Sequence, residues 1–217
     1  MSLPLYTGLE DFFRSEELAY CVIDDLDVTE AGVTGAQNRI EEAFPMIANP
    51  NASFDGVETP EMRLAQMGLS LPKVPRPVGN FDIGSIDGTT LFLSGQGPLL
   101  EDGTLATGKV GADVSVTDAK YHARCTGLVL IAAMRELLGS LDHVVQIRRV
   151  FGMVNAVPEF EDHPSVLNGC SNLFCEVFGS RGRHARAAVG MASLPGNITV
   201  EIDVIASITP DWDQANE

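Results

Sequence analysis

The chain has 217 residues, 45% hydrophobic and 20% charged, enough for one domain with a full core, or one domain plus an ordered extension. A formal net charge of −16 opposes nucleic-acid binding, which draws its affinity from Lys and Arg neutralising phosphates, and there is no basic stripe with interleaved aromatics. The longest apolar run, Gly127 to Met134, falls far short of the ~20 residues of a membrane span, and MSLPLYTGLEDFF lacks the basic and apolar parts of a signal peptide, so a cytoplasmic location is expected.

Residues 1–58 stand apart from the rest. Twelve acids between Glu10 and Glu58 face only Arg14 and Arg39, so this segment carries −10 of the net charge. Weak helical periodicity over Glu10 to Tyr20 and Glu30 to Phe44, ended by Asn49-Pro50-Asn51, reads as an acidic extension with one or two short helices. Residues 59–76 follow as a short helix, started by the Thr59-Pro60-Glu61 cap and stopping near Gly68, and then a proline-punctuated linker, LPKVPRPVGNF.

From Phe81 the pattern becomes β. The reading is a strand from Phe81 to Ser85, a turn at Ile86-Asp87-Gly88, a strand from Thr89 to Ser94, and a short strand near Thr104 to Ala106. Gly95 and Gly97 straddle Gln96, but no helix with Lys-Ser/Thr follows, so they are no phosphate loop; they let a backbone approach something closely. Ser115 or Thr117 caps a long helix in which Ala123, Gly127, Leu130, Met134, Leu137 and Leu141 form a core-facing stripe, with Gly139 as terminator. HVVQIRRVFGMVN, from His143 to Asn155, reads as a strand with Val145, Ile147, Phe151 and Met153 on one face. Asp162 then caps a second helix that buries Val166, Cys170, Phe174 and Val177 and stops at Gly179. Cys21, Cys125, Cys170 and Cys175 fall at no metal-ligand spacing and read as buried thiols; no metal or cofactor is expected.

Arg183 to Ala206 reads as two strands joined by a tight Leu194-Pro195-Gly196-Asn197 turn. Alternation puts His184, Arg186, Ala188 and Gly190 on one face of the first; on the second it sets Glu201, Asp203 and Ile205 opposite Val200, Ile202, Val204 and Ala206. Arg186 among small residues has room around its guanidinium, which suits a small carboxylate. His184, two residues earlier on the same face, reads as an extra proton donor or as a surface histidine at a strand end. The element order predicts an α+β fold with two helices packed on one face of a mixed sheet. Its other face, expected to carry Arg186 and Glu201 together, needs cover, and association of subunits through that face would supply it.

Residues 77–208 resemble the RidA family, also called YjgF, of enamine/imine deaminases. The resemblance rests on LFLSGQGPL, HVVQIRRVFGMVN, the helix containing Asn168, ARAAVGMASLP and VEIDVIA in that order. It implies a fold similar to trimeric chorismate mutase, with pockets at the three interfaces of a homotrimer. By motif, Arg186 is implied as the carboxylate-binding arginine and Glu201 as the water-positioning glutamate. Ser94 and Gly95 are implied as substrate contacts and Asn168 as the pocket asparagine. Phe81 stands where the family often has tyrosine, and Ala188 where many members have cysteine. The expected function is hydrolysis of reactive enamines or imines such as 2-aminoacrylate to a 2-keto acid and ammonia. The alternative is a non-catalytic trimeric protein that binds or senses a small carboxylate. Residues 209–217 are expected to be a surface tail.

Overall fold

The computed structural model describes residues 58–210 and residue 212. The expected acidic extension with its helices, Cys21 and most of the tail lie outside the described residues.

The first helix, α1 (Pro60–Gln66), starts as its sequence predicts: the Thr59 hydroxyl accepts from the Met62 amide at 3.3 Å, and Pro60 needs no donor there. Glu61 ties it to the main body, accepting from the Leu141 amide and from Arg135, both at 3.1 Å. Strand β1 (Gly84–Asp87) pairs with β2 (Thr90–Gln96) through a tight turn in which Gly88 adopts φ 57°. The strand thus starts three residues later than expected, and Phe81 lies in the bend before it. Instead of a third strand near Thr104, single bridges join Leu99 to Leu105 and Thr107 to Ile198.

Helix α2 (Val116–Leu138) is capped by Ser115, which accepts from the Asp118 amide at 3.1 Å, and ends at Gly139 with φ 75°. Strand β3 (Val144–Asn155) leads into α3 (His163–Phe178), then into β4 (Ala185–Met191) and finally β5 (Val200–Ile208). The sheet order is β1-β2-β5-β3-β4. β4 runs parallel to β3, as a strand returning through a crossover helix must, and the other pairings are antiparallel.

This order corrects the expected hairpin of β4 and β5. The two are not neighbours, because β5 crosses the end of β3 and inserts between β3 and β2. The reason lies in its sequence: Val200, Ile202, Val204, Ala206 and Ile208 are all buried, a full apolar row suited to the centre of a sheet. β4 mixes Ala185, Ala187, Ala188 and Gly190 with Arg186, Val189 and Met191, offers no fully apolar row, and occupies the edge. β3 also departs from simple alternation. Irregularities between Val144 and Gln146, and between Ile147 and Arg149, leave Ile147 facing the helices, while Phe151 and Met153 point to the other side and Val145 is exposed.

Helices α2 and α3 cover one face of the sheet. The core between them includes Leu91, Leu93, Ile147, Val150 and Val204 from the sheet, with Leu130, Met134, Leu167, Leu173 and Phe174 from the helices. Burying each such large side chain contributes roughly 1.5 to 3 kcal/mol. Gly152 on β3 sets how closely α3 approaches the sheet: a Cβ there would collide with Leu167, so its absence is the hollow that Leu167 fills. That contact draws α3 down towards β3 and the edge strand. Cys125 and Cys170 are buried as expected, whereas Cys175 is exposed, since it sits on the outer side of α3.

Candidate functional site

The candidate residues fall into two groups on opposite faces of the sheet. Residues paired across neighbouring strands share a face. Val150 pairs with both Arg186 and Val204, which puts Arg186 on the helix-covered side. Met153 pairs with both Val189 and Glu201, which puts Glu201 on the open side. The expectation that Arg186 and Glu201 share the uncovered face is therefore corrected. What turns Arg186 inward is the polar edge of α3, where Asn168 and Ser171 stand one turn apart and overhang β4.

In the first group the Arg186 Nη1 donates to Asn168 Oδ1 at 2.9 Å and to Ser171 Oγ at 3.0 Å. His184, just before β4, joins the same cluster. Its Nε2 lies 3.0 Å from Ser171 Oγ and its Nδ1 lies 2.6 Å from the Gly182 carbonyl. A carbonyl only accepts, so Nδ1 carries the proton and Nε2 of the neutral ring accepts from the Ser171 hydroxyl. The Phe174 ring meets the imidazole edge-on, with centroids 6.0 Å apart. Burial pushes the His184 pKa down, the Gly182 hydrogen bond raises it in part, and Arg186 lowers it further; at neutral pH the ring is a neutral base. Burial also lowers the Arg186 pKa, which Cys170 offsets in part. The guanidinium stays charged and donates through one nitrogen, with no carboxylate partner among the described residues.

The second group lies on the open face. Glu201 Oε1 packs directly over Gly95, where any Cβ would overlap it, so the close approach expected of this glycine is made to the Glu201 side chain. Gly95 sits in an irregularity of the β2–β5 pairing between Leu93 and Gln96. Ser94 donates from its hydroxyl to the Asp82 carbonyl at 2.7 Å, which fixes the segment next to Phe81. Phe81 itself is 51% exposed. Burial raises the Glu201 pKa and Asp203, two residues on along the same face, raises it further. Asp203 is likewise raised by burial, with Arg149 acting the other way. Arg149 stacks on Phe151 at 5.0 Å from the ring centroid. The open face thus holds a half-buried carboxyl inclined to keep its proton, among Phe92, Phe151, Met153 and Ile205.

Ser171, Gly182 and Asp203 were not singled out in the sequence. Ser171 was within reach of such reasoning, because a residue three after Asn168 on a helix shares its face. Two surface hollows of about 250 and 270 Å³ lie elsewhere, one between Leu71–Val74 and α2, the other between α2 and α3. Neither holds Arg186 or Glu201. Among the described residues no group of three His, Cys, Asp or Glu side chains is placed to hold a metal ion, and no helix is long and apolar enough to cross a membrane.

Residues 61–208 match the family described as "YjgF/chorismate mutase-like, putative endoribonuclease". A Trypanosoma cruzi protein named TCP17 is 37% identical over 67% of this chain and 91% of its own. The 2-iminobutanoate/2-iminopropanoate deaminase of Dermatophagoides farinae is 27% identical over 64% of this chain and 94% of its own. Among solved structures, a protein of unknown function from Agrobacterium tumefaciens is 43% identical with a TM-score of 0.64, covering 69% of this chain and 92% of that one.

Proposed function

This chain belongs to the YjgF/chorismate mutase-like family, and on that premise we propose that it hydrolyses reactive enamines and imines of the 2-aminoacrylate kind to a 2-keto acid and ammonia. The observation that carries the reading is the division of the candidate residues into a cationic half, Arg186 with Asn168, and an acidic half, Glu201 with Gly95, on opposite faces of one sheet. One copy cannot close them around a small substrate. A homotrimer, in which the open face of each sheet meets the edge strand of the next subunit, brings Arg186 of one copy to Glu201 of the partner subunit. A cytoplasmic location is part of the same proposal.

The chemistry follows from the two halves. The Arg186 donors not engaged by Asn168 and Ser171 take the substrate carboxylate, a charge-assisted contact contributing roughly 1.5 to 3 kcal/mol. Asn168 and Ser171 fix the guanidinium plane, so little freedom is lost when the fork closes. A protonated Glu201 gives a proton to the enamine carbon and forms the iminium ion. As carboxylate it then draws a proton from water, whose oxygen adds to the iminium carbon. The nitrogen takes up that proton, the C–N bond breaks as the added hydroxyl becomes the carbonyl and gives its proton back to Glu201, ammonia leaves and the 2-keto acid remains; one water is consumed. A raised pKa suits a group that must both give and accept a proton near neutral pH. The relative named as an imine deaminase supports this reading. The endoribonuclease part of the family description finds little support in a chain with a net charge of −16.

The test is release of ammonia when the protein meets enamines generated in situ by a dehydratase or an amino-acid oxidase. Acceleration above the spontaneous rate supports the reading. Binding of 2-keto acids without acceleration would leave a carboxylate sensor in its place.

A further inference from the structure

Ser171 helps to hold Arg186 for that reaction, but its contact with His184 has no part there, and the Ser171–His184 pair has the form of an activated nucleophile. Ser171 lies in the middle of α3, where a serine commonly turns its hydroxyl back to its own helix. Here it reaches across to β4 instead. Its hydrogen goes to His184 Nε2 at 3.0 Å, its oxygen accepts from Arg186 Nη1 at 3.0 Å, and the imidazole is held in the required tautomer by the Gly182 carbonyl at 2.6 Å. A nucleophile, a base within hydrogen-bond reach and a third group orienting the base are the parts of a serine centre. The remaining lone pair of Ser171 Oγ is free to attack, and Arg186 places positive charge beside any oxyanion that forms. Both side chains are half-buried, so a small reagent has access.

We propose that Ser171 and His184 form a second reactive centre, which accepts acyl groups from small activated esters. As Ser171 Oγ bonds to the ester carbonyl carbon, His184 Nε2 takes its proton and the carbonyl electrons move onto oxygen. Collapse of that adduct expels the alcohol, which leaves with the proton from His184, and the acyl group remains on Ser171. Water, deprotonated by the same histidine, releases it as a carboxylic acid. This centre shares Ser171 and Arg186 with the proposed carboxylate site, yet its test is separate from that of the deaminase reading, since neither Glu201 nor an imine enters it.

The experiment treats the full chain with a fluorophosphonate, maps the adduct by peptide mass spectrometry and follows p-nitrophenol release from p-nitrophenyl acetate. One adduct on Ser171 is expected, with labelling slowed about 100-fold in His184→Gln, as for loss of a general base. A wild-type Ser171 that stays unlabelled overturns the proposal, as does unchanged labelling in a folded His184→Gln. If that variant does not fold, the wild-type labelling rate decides by its pH dependence. His184 is faced by Ser171 and Phe174 of α3, by the Gly182 carbonyl and by Arg186 of β4, and of these only Arg186 is charged. The rate should fall as His184 protonates below its ordinary value of 6.5, and a rate that is flat through that range refutes the base.

Discussion

If each site takes Arg186 from one subunit and Glu201 from the next, two inactive variants should repair one another. Arg186→Ala removes the carboxylate fork, and Glu201→Gln keeps shape while removing the proton acceptor; each alone should lower turnover by about a hundredfold or more. Produced together in equal amounts, the two chains assemble at random into trimers, of which about three quarters are mixed. Going round any mixed ring, one interface pairs an intact Arg186 with an intact Glu201, and the other two lack at least one of them. About one site in three is restored in each mixed trimer, so about one quarter of wild-type turnover should return. The halves lie on opposite faces of a single sheet, which is why the ring, and not the chain, is the counting unit. The assay is ammonia release by the co-expressed preparation, with native mass spectrometry to show that mixed trimers are present. Mixed trimers no more active than the variants kept apart would refute the division of the site between subunits.

Three other outcomes are expected. Sedimentation equilibrium should give about three times the 23.2 kDa chain mass, as expected for a closed ring of three, and a stable monomer would sink the shared site. Gly95→Ala should cut turnover while leaving carboxylate binding by Arg186 in place, because its Cβ must displace the Glu201 carboxyl; unaltered kinetics would show that Glu201 does not act from its present position. Burial and Asp203 raise the Glu201 pKa above 4.5, so the native state holds its proton to higher pH than the unfolded chain, and this group weakens stability as pH rises from about 4.5 through the folded value. Glu201→Gln should therefore melt at a higher temperature than wild type at neutral pH, the gap closing below pH 4.5, and a variant less stable at neutral pH would mean that the carboxylate is held by partners rather than strained by burial.

How far the site could be read from sequence depended on which strand offered a choice of faces. In β5 the row Val200, Ile202, Val204, Ala206 and Ile208 leaves none, and Glu201 is driven to the open side. In β4 the alternative rows are Ala185, Ala187, Val189 and Met191 against Arg186, Ala188 and Gly190, and neither is apolar enough to dictate its burial. Charge alone then suggested that Arg186 faces outward with Glu201. The deciding partners, Asn168 and Ser171, come from another element, brought over β4 by the Leu167–Gly152 contact, which no local pattern announces. Helices α1, α2 and α3 were legible to within a residue or two because their caps and stripes are local. The hairpin was misread for the opposite reason: a Pro-Gly-Asn turn, in which Gly196 and Asn197 adopt positive φ, reverses the chain equally well whether the next strand lies beside β4 or beyond β3.

The separation of Arg186 from Glu201 has a chemical consequence of its own. Had both stood within ~4 Å on one face of the same chain, the pair would have closed into a salt bridge, lowering the carboxyl pKa by about 1 to 3 units. Glu201 would then be a weaker base, and the guanidinium would have spent its fork before a substrate arrived. As the chain folds, burial raises the Glu201 pKa and the like-charged Asp203 raises it further, while among the described residues Arg186 donates to the neutral Asn168 and Ser171. In the proposed trimer the two charges would approach each other only across the interface. On the proposed reading a bound carboxylate would take the arginine's charge for itself, leaving Glu201 with the raised pKa that suits proton transfer. Placing acid and cation on opposite faces of one sheet thus keeps them apart within a chain, as the proposed shared site requires.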